Sequence, residues 1–239
     1  IHDRWYLSIT DDSGNFIKFV FHVDDMAIAY KGEKLWQWYL TKLRERYEFT
    51  LGPLEHFLGI RITRNADRSF RLDQSAQVEK MLRTFNLEKA KPVDTPVGGK
   101  RPTKADSPVT SKERADAAKI PYMQAVGHLN YLQTTSHLEI SFPLKVASHF
   151  MCCYGQAHWT WVKHIMKYLA GHQWDSLIIR GHDSPPMLIS YSDADHANCK
   201  ETGRSFTGYI IKLGDDTINY GCHRQRIPAH SSTESEIMA

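Results

Sequence analysis

The chain has 239 residues, enough for one large domain or two of ordinary size with a substantial buried core. Hydrophobic residues make up 41% and charged residues 24%, ordinary globular values, and no apolar run approaches the roughly 18 residues that a membrane-spanning helix needs. The formal net charge of +3 points weakly to nucleic acid, while Cys152, Cys153, Cys199 and Cys222 form neither a Cys-x-x-Cys zinc pattern nor a disulfide framework and read as reduced thiols of an intracellular protein.

The opening Ile1-His2-Asp3-Arg4 has no apolar signal core and no initiator Met, as expected of a segment cut from something longer. Leu7 to Ile9 and Phe16 to Val23 are expected as strands joined by the turn cluster Asp11-Asp12-Ser13-Gly14-Asn15. Next come Asp24 and Asp25, set between the apolar runs Phe19 to Val23 and Met26 to Ala29, and so at or beside the apex of a β-hairpin. From Glu33 to Tyr47, apolar residues recur at helical spacing. Strands are expected near Phe57 to Ile62 and Phe70 to Leu72, around a hairpin loop at Asn65-Ala66-Asp67-Arg68. Asp73 or Ser75 can cap the following helix, which carries Val78, Met81, Leu82 and Phe85 on one face.

The stretch Val97 to Lys119 holds Lys100, Arg101, Lys104, Lys112, Arg114 and Lys119 against Asp106, Glu113 and Asp116, and so accounts for the whole net charge. It reads as a solvated basic linker, or as a segment that follows a phosphate backbone. A mainly helical region is expected from Ile120 to Ala170, ended by Gly171, with Trp159 and Trp161 as packing residues rather than base-stacking platforms. Beyond it the period falls to two. Ser176 to Arg180, Met187 to Ser192, Phe206 to Leu213 and Thr217 to Tyr220 read as strands, with turns at Ser184-Pro185-Pro186 and Gly214-Asp215-Asp216. Asp193 then falls on or at the end of a central strand. Near the C-terminus, Ser232 or Thr233 can cap a helix whose positive end Glu234 and Glu236 favour.

Asp24 and Asp25 repel each other unless a cation lies between them, and a hard divalent ion such as Mg²⁺ takes oxygen ligands of this kind. A solvated Asp-Asp turn has the same composition. The order of motifs narrows the choice. His22-Val23-Asp24-Asp25-Met26, Phe57-Leu58-Gly59-Ile60-Arg61-Ile62, Pro92-Val93-Asp94-Thr95-Pro96 and Pro121-Tyr122-Met123-Gln124-Ala125-Val126-Gly127-His128-Leu129 follow one another. After them come His158-Trp159, Tyr191-Ser192-Asp193-Ala194-Asp195, Arg204-Ser205-Phe206-Thr207-Gly208-Tyr209 and Ser231-Ser232-Thr233-Glu234-Ser235-Glu236. From about Phe16 to the last residue this set resembles the pol polyprotein of copia-type retrotransposons.

That resemblance implies an α+β fold: the C-terminal part of a reverse transcriptase palm and the start of the thumb (1–96), the basic linker (97–119), a helical thumb and connection (120–175), and the N-terminal half of an RNase H-like mixed sheet (176–239). The parent activity it implies is RNA-directed DNA polymerisation with RNA–DNA hybrid hydrolysis. Asp24, Asp25, Asp193 and Glu236 become catalytic, metal-binding carboxylates for Mg²⁺ or Mn²⁺, with Asp193 and Glu236 brought together at one sheet edge. Phe57, Leu58 and Gly59 of a primer grip, with Lys100, Arg101 and Lys104, become nucleic-acid-binding residues. The implied partners are an RNA template, a DNA primer, the RNA–DNA hybrid, deoxynucleotide triphosphates and the rest of the polyprotein, without a membrane, in a cytoplasmic particle or the nucleus. The further acids of both metal sites are expected beyond Ile1 and Ala239, so that the isolated chain is expected to be inactive.

Several residues depart from the family pattern. His22 replaces Tyr, His196 replaces Trp, His137-Leu138-Glu139-Ile140 replaces Arg-Pro-Asp-Ile, and Cys222-His223-Arg224-Gln225 replaces Ser-Lys-Arg-Gln. Such changes suit a decayed element copy or a divergent active lineage. The rival class is a noncatalytic nucleic-acid-binding relic or host-adopted protein.

Overall fold

The computed structural model describes residues 6–182 and 185–239, so the turn expected at Ser184-Pro185-Pro186 lies partly outside the described residues. Ten strands and seven α-helices occur among them, an α+β arrangement in which β1–β2, β2–β3, β4–β5, β6–β7, β8–β9 and β9–β10, numbered in chain order, pair antiparallel. The chain divides into two compact units, Ile1–Ile62 and Thr63–Ala239. No helix among the described residues is long and apolar enough to cross a membrane.

In the first unit β1 (Tyr6–Thr10), β2 (Phe16–His22) and β3 (Asp25–Lys31) form a meander. Its first turn is closed by the Asp11 carboxylate, which accepts from Ser13 N at 2.9 Å, Asn15 N at 2.8 Å and Asn15 Nδ2 at 2.8 Å. The Asn15 side-chain bond is the leading reason that this carboxyl lies below its ordinary pKa. Helix α1 (Glu33–Arg44) lays Trp36 and Leu40 over Ile17 and Phe19, alternate residues of β2 that share a face. Phe19 stacks on Tyr39 at 5.4 Å and Tyr30 on Trp36 at 4.6 Å.

The single strand expected near Phe57 to Ile62 is instead a hairpin of β4 (His56–Phe57) and β5 (Ile60–Arg64). Leu58 at φ 51° and Gly59 at φ 73° make its two-residue turn. An apolar Leu in the first turn position concealed the break.

The second unit begins with β6 (Phe70–Asp73) and α2 (Ser75–Thr84), where Asp73 accepts the Ser75 N–H at 2.7 Å. Then follow α3 (Ser111–Ala117), α4 (Tyr122–Gln133), α5 (Ser141–Ser148) and α6 (Gln156–Gly171). Val78 and Met81 of α2, Leu129 and Leu132 of α4, Leu144 of α5 and Ile165, Met166 and Leu169 of α6 belong to one buried core. Trp161 is part of it and donates to the Pro143 carbonyl at 2.9 Å, as its expected packing role requires.

After α6 comes β7 (Ser176–Ile179), which pairs with β6 rather than opening the C-terminal sheet. That sheet consists of β8 (Leu188–Asp195), β9 (Phe206–Leu213) and β10 (Asp216–Arg224), with β9 in the middle, and α7 (Ser232–Ile237) follows. Two expectations are corrected here. Pairing is antiparallel rather than mixed, and β8 is an edge strand rather than a central one. The exposed, largely polar run Ser190 to Asp193 suits an edge, which Leu188 and Ile189 alone did not reveal.

The expected basic linker is an ordered strap. Residues 92–108 run along α6 from its C-terminal to its N-terminal end. An added Cβ on Gly171 would meet Pro92 at 3.1 Å, His164 Nε2 bonds the Thr95 carbonyl at 2.9 Å, and His158 Nε2 bonds the Thr103 carbonyl at 3.1 Å. A Cβ on Gly155 would lie 3.0 Å from the Asp106 carbonyl, and one on Gly98 only 2.1 Å from the His164 ring. These glycines let backbone and helix approach closely.

Candidate functional site

The acidic pair of the first unit sits where the hairpin places it. Val23 and Asp24 form the two-residue turn, and Asp25 opens β3 opposite His22. Both acids are exposed. Val23 holds φ at 56° with 86% of its surface exposed, an unfavourable backbone for a β-branched residue that no burial offsets.

Asp193 lines a cleft of about 570 Å³ in the second unit. Its floor is one face of the C-terminal sheet. Register puts Tyr191 beside Ile210 and Tyr220, Asp193 beside Gly208 and Cys222, and Asp195 beside Phe206, all on that face. Leu138, Glu139, Ser141 and Phe142, before and at the start of α5, form a wall. Nothing lies within 4 Å of where a Gly208 side chain would begin, so this glycine leaves a hollow between Asp193 and Cys222. Burial pushes the Cys222 thiol up to about 11 and raises the Tyr220 phenol, whose hydroxyl donates to the Gln133 carbonyl at 2.6 Å. Glu139 bonds His137 Nδ1 at 2.9 Å.

Glu236 is not among the cleft-lining residues. Helix α7 is tied to the other face of the sheet: Gln225 Nε2 donates to Ser235 O at 2.8 Å and to Thr207 Oγ1 at 3.1 Å, and Thr207 pairs with Ala194 rather than Asp193. Thr207 and Ala194 face away from the cleft, Glu236 is exposed on α7, and Asp195, expected as a turn residue, shares the cleft with Asp193. The helix cap is Ser231, accepting from Glu234 N at 3.1 Å, rather than Ser232 or Thr233. Glu234 returns a bond to His230 N at 2.7 Å and serves the helix, as one expected alternative held.

Phe57, Leu58 and Gly59 lie at the β4–β5 turn. Lys100 and Lys104 are exposed on the strap, while Arg101 is partly buried, with Nη1 on the Asn198 carbonyl at 2.7 Å. It is not a free surface cation. The aromatic lining of the cleft went unread in the sequence, since alternate residues of three strands meet only once their register is known.

For a hard divalent cation the carboxylates of both places offer suitable donors. Among the described residues, however, no group of three or more His, Cys, Asp or Glu is gathered that could hold a metal ion.

The chain is 36% identical over 228 residues to the retrovirus-related Pol polyprotein from transposon TNT 1-94 of Nicotiana tabacum, covering 94% of the chain and 17% of that protein. It is 32% identical over 218 residues to the retrovirus-related Pol polyprotein from transposon RE1 of Arabidopsis thaliana, covering 90% of the chain and 14% of the relative. An uncharacterized mitochondrial protein of Arabidopsis thaliana is 29% identical over 219 residues, 91% of the chain and 88% of that protein. No family model and no solved structure matches the chain.

Proposed function

From homologues that are retrovirus-related Pol polyproteins of transposons, we propose that the chain is a Pol segment whose parent is an RNA-directed DNA polymerase with RNase H activity. The observation that carries this is the ordered set of motifs from the Asp24-Asp25 hairpin to Ser231–Glu236, within a similarity spanning 94% of the chain. Asp24 and Asp25 are assigned to a polymerase Mg²⁺ or Mn²⁺ site and Asp193 to a hybrid-cleaving one. Glu236, exposed on α7, keeps its family assignment to the same site. When bound, such an ion polarises phosphoryl oxygens and activates the attacking hydroxyl or water. The chain's own part is to hold carboxylates at a turn and along β8. Lys100 and Lys104 meet template, primer or hybrid phosphates, and Phe57 to Gly59 support the primer end.

A chimera tests this, with the chain replacing the matching stretch of the tobacco Pol polyprotein. Asp24→Asn is expected to lower primer extension at least 100-fold and spare hybrid cleavage, and Asp193→Asn to do the reverse. If neither variant changes either activity in a chimera that has both, the assignment fails. The 239-residue chain alone is expected to extend no primer, since two gathered carboxylates position a cation poorly. A noncatalytic nucleic-acid-binding role is the second reading. A relative covered over 88% of its own length favours it, because a protein of this extent then occurs outside a Pol polyprotein.

A further inference from the structure

The strap's cations are used unequally. Lys100 and Lys104 are exposed, and it is the backbone N–H of Lys104 that donates to Glu201 Oε1 at 3.1 Å. Arg101 turns inward, its guanidinium 4.8 Å from the ring centre of Phe206 and 5.5 Å from that of Phe142, while Nη1 donates to Asn198 O at 2.7 Å. The two rings meet edge to face, 5.5 Å apart at 84°. Phe206 pairs in register with Asp195, and the Asn198 side-chain amide donates to Asp195 Oδ2. A continuous set of contacts thus runs from the strap, through the loop after β8, to an acid at the cleft.

We infer that Arg101 is a positioning residue: it fixes Asn198, and through it the Asp195 carboxylate at the rim of the cleft, and takes no part in binding nucleic acid. The loop it braces turns sharply, with Ala197 at φ 51°. Two further bonds close it, Ala197 N to Ser205 Oγ at 3.0 Å and Cys199 N to Arg204 O at 2.9 Å. The Cys199 N–H shares a peptide unit with the Asn198 carbonyl, so Arg204 holds that unit from within the loop and Arg101 holds it from the strap. A planar guanidinium can lie flat against one ring, meet the other with its edge and donate in its own plane, a geometry that a compact ammonium of equal charge does not reproduce. Shape rather than charge is therefore what position 101 requires. The inference rests on the geometry of the second unit and stands whether or not the parent is a polymerase.

The test compares Arg101→Lys, Arg101→Gln and Lys104→Gln in the full chain. The Asn198 side-chain amide resonance, identified by its loss in Asn198→Ala, is compared with its position in Asp195→Ala, where its carboxylate acceptor is gone. Arg101→Lys is expected to move it toward that position as far as Arg101→Gln does, while Lys104→Gln leaves it in place. In duplex binding against salt, Lys104→Gln is expected to reduce the log–log slope by about 0.9 and both Arg101 variants to leave it unchanged. An Arg101→Lys protein with the Asn198 side-chain resonance unmoved overturns the inference, as does an Arg101→Gln protein that loses about 0.9 of slope. Should Arg101→Gln fail to fold, the charge-conserving Lys variant decides alone. Loss of chimera activity moves neither readout, so the two proposals fail separately.

Discussion

Val23 is the residue at which local chemistry and local geometry disagree most openly. Its φ of 56° is strained for a β-branched side chain, and its exposed isopropyl group gains nothing from packing. Val23→Asn, a residue that tolerates this region, is expected to stabilise the first unit by about 0.5–1 kcal/mol, read as a rise in its denaturation midpoint. His149 presents a different conflict. Desolvation, followed by the charges of Arg224, Lys145 and Arg101 and opposed by Glu201, holds its pKa down to about 4 from 6.5. The unfolded chain then binds the proton more readily between those values, so stability is full above about 6.5 and falls as pH drops toward 4. For a half-buried ring the loss is roughly 1–2 kcal/mol after solvent screening. His149→Gln is expected to flatten that part of the stability–pH curve. A curve unchanged by the substitution would assign the acid sensitivity elsewhere.

At the scale of elements, the strap along α6 decides how the second unit is fastened. His158 accepts from Gly155 N at 3.0 Å and donates to the Thr103 carbonyl at 3.1 Å, which fixes a neutral ring with the proton on Nε2. Burial depresses its pKa, so the ring stays neutral near pH 7. His158→Ala leaves the buried Gly155 N–H without its acceptor, while the Thr103 carbonyl keeps the Asp106 N–H, and is expected to cost about 1–3 kcal/mol. His164→Ala, at an exposed ring, should cost under about 1 kcal/mol. Equal losses in urea denaturation would show that the strap is not anchored at the N-terminal end of α6.

Helices and strands were legible in the sequence where one face is apolar, as in α1, α2 and β9. The strap was not, because its anchors lie 55 and 69 positions away and no local pattern records them. The acidic hairpin was legible from two short apolar runs. The cleft was not, since Tyr191, Gly208 and Tyr220 become neighbours only through pairing register.

For the whole molecule, the two units carry very different cores. Among the described residues, the buried core of the first is Ile17, Phe19, Trp36 and Leu40, while the second assembles its core from α2, α4, α5 and α6. Hydrogen exchange on the full chain is expected to release the amides of β1–β3 at least tenfold faster than those of α4 and α6, following buried area. Equal protection would imply a single cooperative unit despite the division of contacts.

The pairing of β6 with β7 has a consequence for biosynthesis. Arg71 meets the Trp174 carbonyl 103 positions further on, so β6 leaves the ribosome long before its partner exists. At about 5–20 residues per second it waits some 5–20 s with a sheet edge unsatisfied, while α2 to α6 emerge and collapse beside it. During that interval the nascent chain is exposed to wrong partners at Phe70–Asp73, and a chaperone able to cover one short strand would raise its yield.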